Sequence, residues 1–124
     1  MSRVDIAIHN KNTNELVANR GFCRTPALKF LCEESSDEKL QDFDYEIGEG
    51  IDLDKKNITS FLERIEYVIM ALENMPLEDK KKRFNYPIDE TLYLQFIENL
   101  KDSKKYLSDF SDNNNLDNYL IVIV

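Results

Sequence analysis

The chain has 124 residues, a mass of 14.6 kDa and a formal charge of −8. That is one domain by length, and surface scaling lets roughly two-thirds of the unfolded surface be buried, so the core needs no disulfide or metal staple. The 42 % hydrophobic and 10 % aromatic content argues against disorder, and no run of 18 apolar residues is present to cross a bilayer.

Residues 3–9 alternate Val4, Ile6 and Ile8 with Asp5, Ala7 and His9, which predicts a half-buried strand. The Asn-rich stretch from Asn10 to Asn14 predicts a turn, and residues 15–23 the returning strand, with Gly21 at a bulge or at the strand's end. Thr25-Pro26 is a helix start, because proline at the first helical position gives up no needed hydrogen bond. Leu28, Leu31 and Cys32 then share one face of a short helix ending near Glu34.

Residues 35–54 carry little helix signal. Phe43, Tyr45 and Ile47 alternate with Asp42, Asp44 and Glu46, which predicts a third strand ended by Gly48 and Gly50. Over 57–75 the apolar residues Ile58, Phe61, Leu62, Ile65, Ile69 and Leu72 recur at threes and fours. This is the clearest helix, with Asn57 or Asp54 as its cap and Pro76 as its end. Leu77 to Phe84 reads as a short charged connection with room for one or two helical turns. Asp89 caps a last helix striped by Leu92, Phe96, Ile97, Leu100 and Leu107, which fades near Phe110. Residues 119–124 form an unbroken apolar run that predicts a central strand covered on both faces. The sum is a single α+β domain over residues 1–124. Its small antiparallel or mixed sheet joins the hairpin, the C-terminal strand and an acidic edge strand, packed by two long helices and one short one.

The charge is concentrated. Residues 33–54 hold ten acids, namely Glu33, Glu34, Asp37, Glu38, Asp42, Asp44, Glu46, Glu49, Asp52 and Asp54, against one base, Lys39. The segment is −9, so the other 102 residues sum to +1. Carboxylates so close together repel one another and add nothing to a neutral fold. They are either a solubilising loop or a docking surface for a basic partner. The interleaved Phe43 and Tyr45 favour docking, because exposed aromatics serve as anchors. On a strand, Asp42, Asp44 and Glu46 would repeat at about 6.6 Å, near the spacing of phosphates along one nucleic-acid strand.

Other chemistry fits poorly. Asp42-x-Asp44-x-Glu46 opens like a calcium loop, but Ile47 stands where the turn glycine is needed and Leu53 where the closing Glu is needed. Gly48-Glu49-Gly50 lacks the lysine and hydroxyl of a phosphate loop. Cys23 and Cys32, nine apart, suit neither a redox pair nor a zinc set. His9 is the lone histidine, read as a surface or edge residue, and a Cys23–His9 pairing has no surrounding nucleophile signature. The basic run Lys80 to Arg83 is offset by Glu78 and Asp79 and reads as a solvated connector. No catalytic residue, cofactor or metal is expected. Reduced thiols and the absence of a signal-peptide apolar run at the N-terminus point to the cytoplasm.

In size, charge and absence of catalytic motifs the chain resembles small acidic bacterial and phage inhibitors, the immunity proteins of nuclease toxins and phage anti-defence proteins. That resemblance implies a stoichiometric, non-enzymatic inhibitor that binds a basic toxin or nucleic-acid-binding enzyme through residues 33–54. It implies no direct contact with nucleic acid or membrane. The alternatives are an anti-defence protein mimicking nucleic acid with the same surface, and a structural or accessory protein whose acidic loop only solubilises it.

Overall fold

The computed structural model describes residues 3–33, 50–84 and 89–124. The chain order is β1 (Arg3–Asn10), β2 (Leu16–Arg24), α1 (Thr25–Glu33), β3 (Ile51–Leu53), α2 (Ile58–Asn74), α3 (Leu77–Phe84), α4 (Glu90–Asn113) and β4 (Tyr119–Ile123). A single 3₁₀ turn, Leu116–Asn118, leads into β4. The four strands form one sheet in the order β2-β1-β4-β3, antiparallel at every step. The α+β architecture is as the sequence predicts, with the long helices α2 and α4 packed against each other and one continuous core.

The hairpin forms because Asn10 closes it. Its Oδ1 accepts the backbone N–H groups of Asn12 at 2.8 Å and Thr13 at 3.2 Å, and Asn14 takes the left-handed conformation at φ 61°. The pairing register slips twice, at Phe22 and at Val17. The Phe22 bulge turns two consecutive residues, Phe22 and Cys23, into the core.

The predicted strand over 42–47 lies outside the described residues. The third strand that is described, β3, follows Gly50. Gly50 sits at φ 76°, and a Cβ there would lie 2.8 Å from the Ile123 carbonyl oxygen. Only glycine lets the chain enter beside β4.

β4 is central, as expected, but it is not covered on both faces. Ile121 and Ile123 are fully buried against the helices, whereas Leu120 is 38 % exposed and Val122 is half-buried. The segment after Pro76 is a helix of eight residues, α3, the two turns that the sequence allows for this connection. Met75 before it is extended at ψ 131°, the conformation proline imposes on its predecessor.

Three polar side chains complete the apolar stripes. Arg64 on α2 is fully buried and donates from Nε to the Leu31 carbonyl. Ser103 on α4 is 1 % exposed and donates to the Phe22 carbonyl at 3.0 Å. Tyr93 joins the half-buried Leu92 in packing on the core at the start of α4, and burial pushes its phenol above the usual 10.0.

Ser103→Ala strips the Phe22 carbonyl of this partner in a dry site. It is expected to cost about 1–3 kcal/mol, read as a lower urea midpoint at unchanged slope. The raised Tyr93 pKa fixes a sign. The unfolded chain ionises near pH 10 while the folded chain holds the phenol neutral. Its contribution is therefore full below that pH and is lost as pH rises through the folded-state value. Stability measured from pH 9 to 11 should fall more steeply in the wild type than in Tyr93→Phe, and equal slopes would refute the assignment.

Candidate interaction surface

The described chain on either side of residues 34–49 is held at two points. Before them, α1 ends at Glu33, and Arg64 holds the carbonyl of Leu31 in its final turn. After them, Gly50 leads into β3, which pairs with β4 through Ile51–Ile123, Asp52–Val122 and Leu53–Ile121. Of the residues predicted to meet a partner, Glu34, Asp37, Glu38, Asp42, Phe43, Asp44, Tyr45, Glu46 and Glu49 lie outside the described residues, as does the Glu33 side chain. Asp52 and Asp54 are described, and both are exposed.

Their roles differ. The Asp52 side chain stands on the face of β3 turned away from the helices, since Ile51 and Leu53 on either side are buried. Asp54 works for the backbone. Its Oδ1 accepts from Lys56 N at 2.8 Å and Asn57 N at 3.1 Å, and its carbonyl accepts from Ile58 N at 2.9 Å. In return Asn57 Oδ1 accepts from Asp54 N at 2.8 Å. This reciprocal pair works like a capping box at the entry to α2. The sequence offers Asn57 or Asp54 as the cap; the structure uses both. Asn57 has a further duty, donating from Nδ2 to the Asp52 carbonyl at 2.9 Å.

Next to Asp52 lies the open face of the sheet. The register sets Asn19, Ala7, Val122 and Asp52 in one row across it, and Leu16, His9 and Leu120 in the next. Leu16 is 54 % and Val17 51 % exposed. Arg3 and Arg24, paired across β1 and β2, occupy the far corner, with Arg3 ion-paired to Asp5 at 2.8 Å and its stem crossing Gly21. Sequence reasoning missed this face because six apolar residues in a row gave β4 no alternation to read.

Among the described residues, Cys23 and His9 stand apart. Cys23 is buried and reduced, opposite Val4 at one end of the hairpin, while His9 pairs with Leu16 at the other. β1 is an inner strand, so His9 is half-buried on the sheet face and not at an edge. Cys23 lines a cavity of about 270 Å³ with Arg3, Gly21, Phe22, Arg24 and Asn99. No group of three or more potential metal ligands occurs among the described residues, and none of their helices is long and apolar enough to cross a membrane.

Asp54→Ala is expected to destabilise the fold by about 0.5–2 kcal/mol through loss of the cap, and Asp52→Asn to leave the urea midpoint unchanged. Equal effects would refute the division of labour between them. Compared with known proteins, the chain matches no family model, no curated protein and no solved structure.

Proposed function

We propose that this protein is a stoichiometric inhibitor, the immunity partner of a basic, nucleic-acid-cleaving toxin. One observation carries the reading: a charge of −9 is confined to residues 33–54, and the other 102 residues are nearly neutral. Diffuse solubilising charge would be spread over the surface. Confined charge makes a field with a direction, which steers a basic groove toward one side of the molecule.

The described end of the segment supports the same reading. Asp52 is exposed on an edge strand and gives no side-chain bond to the fold in the hydrogen bonds described, so its carboxylate is available to a partner. The chain on either side of residues 34–49 is held, at Leu31 and at β3. Carboxylates that occupy the toxin's substrate groove would stand in for phosphates. Inhibition then needs no chemistry from the inhibitor, only occupancy.

The test begins with a tagged pull-down from the native source, and continues with association kinetics against the retained basic protein. Replacing Asp42, Asp44 and Glu46 with Asn, Gln or both is expected to slow association by about 10–100-fold at low salt, with unchanged far-UV circular dichroism. The wild-type rate should fall steeply as salt rises. An association rate that ignores both the substitutions and salt would remove the acidic segment from the interface. A captured host DNA-binding enzyme in place of a toxin would turn the same surface into an anti-defence device.

A further inference from the structure

We propose that the cavity at the bulged end of β2 binds a phosphate group, either the free ion or one carried on a small molecule. This goes beyond the inhibitor reading, and the site belongs to the opposite edge of the described sheet from Asp52. The cavity has a volume of about 270 Å³ and is lined by Arg3, Gly21, Phe22, Cys23, Arg24 and Asn99. That lies just below the range of drug-sized pockets, so its occupant is small. The two charged side chains in the lining are both guanidiniums, and a carboxamide adds further N–H donors. Guanidiniums meet phosphate oxygens two at a time, through a fixed fork of donors.

Two features of the lining work against the bare sheet. Arg3 and Arg24 stand directly opposite each other across β1 and β2. Like charges so placed weaken a strand pair, and an anion between them turns the repulsion into attraction. Arg3 meets Asp5 side-on, from Nε at 2.8 Å and Nη2 at 3.4 Å, which leaves its Nη1 hydrogens for a second acceptor. With Asp5 counted against the two arginines, this corner keeps one net positive charge among these residues. Gly21 is the second feature. Gly50, not Gly21, is the glycine at positive φ, and a Cβ on Gly21 would meet only the Arg3 stem, in ordinary contact at 3.6 Å. Neither backbone conformation nor packing among the described residues calls for a glycine there. A glycine inside a strand weakens it, and one use for that position is the close approach of a ligand. Asp5 exchanges both its backbone bonds with Val124, so Gly21, opposite Asp5, turns its own N–H away from β1.

The walls of the cavity are fixed before a ligand arrives. Asn99 comes from α4, and Ser103, four residues on along the same helix face, donates to the Phe22 carbonyl at 3.0 Å. That bond ties the helix to the bulge, and the Phe22 ring packs on Phe61 at 5.9 Å. Little ordering is then lost on binding. The donors come from β1, β2 and α4, hence from several directions. Four oxygens disposed as a tetrahedron suit such an arrangement better than the two oxygens of a planar carboxylate. The chain's charge of −8 repels anions at range. Asp52, however, is three strand spacings away from β2, about 14 Å, which exceeds the screening length of about 8 Å at physiological salt.

Titration of the nitrogen-labelled full chain with inorganic phosphate tests this, read by amide NMR at neutral pH with ionic strength held constant by chloride. The expected result is saturable shifts at the Gly21 and Arg24 amides and the Asn99 side-chain amide, half complete at or below about 1 mM. Arg3→Gln, Arg24→Gln and Asn99→Leu, made singly, should each raise that concentration about tenfold or more while circular dichroism stays native. Asn99→Leu leaves the strands untouched and so guards against a strand variant that fails to fold. Methyl phosphate that binds as well as inorganic phosphate supports a phosphate carried on a small molecule, and tighter inorganic phosphate supports the free ion. The absence of saturable shifts up to about 20 mM overturns the proposal. So does binding that all three variants leave intact, and so does acetate binding as tightly as phosphate.

Discussion

The insertion of β4 between β1 and β3 is the constraint on which the rest depends. It is a non-local closure, joining residues 6–10 to residues 119–123. Every hydrogen bond in that ladder closes a loop that contains α2 and α4. Pairings of such long sequence separation are slow to form and cooperative once formed. The closure also decides where function can sit. By taking the centre, β4 places β3 at the edge of the described sheet, and β3 carries Asp52 of the acidic segment. Gly50 is the local condition for this, because a side chain there would strike the β4 backbone.

The buried polar groups follow from the same geometry. A bulge in β2 turns Phe22 inward, where its ring packs on Phe61 at 5.9 Å, and Ser103 meets its carbonyl. The carbonyls of an α-helix's last turn have no partner within the helix, and Arg64 meets one of them at Leu31. Arginine suits this place because its stem packs like a hydrophobe and its fork presents several donors. In each case one polar side chain resolves a backbone need that the fold itself creates. Truncating it would leave the carbonyl in a dry core, which costs more than the hydrogen bond is worth in isolation.

The legible parts of the fold were those with a period. Strand alternation in Val4, Ile6 and Ile8, and the threes and fours of Phe61, Ile65 and Leu72, map directly onto buried faces. So do the signals at Asn10, Pro76 and Asp89, whose local chemistry acts without the rest of the chain. What was not legible was buried polarity. Arg64, Ser103 and Tyr93 stand at helix-periodic positions, but an arginine or serine breaks a hydrophobic count, and the carbonyl that calls it inward is distant in sequence. Ser103 and Phe22 are 81 residues apart. β3 was missed for a different reason: three residues are too few to show a period. At the candidate site, the clustering of charge was plain from the sequence, while the capping duty of Asp54 and the exposed position of Asp52 needed coordinates.

On the proposed reading, the charge and the apolar surface of this protein suit two different kinds of recognition. Carboxylates act at range and set encounter rates, and they lose their hold as salt rises. Apolar rows such as Leu16, His9 and Leu120 act only in contact, and salt barely touches them. On this chain the two meet at β3, where Asp52 lies beside Val122. A basic partner of the kind proposed would be drawn to the acids at range and would then meet the apolar rows beside Asp52, so its encounter rate would depend on salt while its residence would depend on contact.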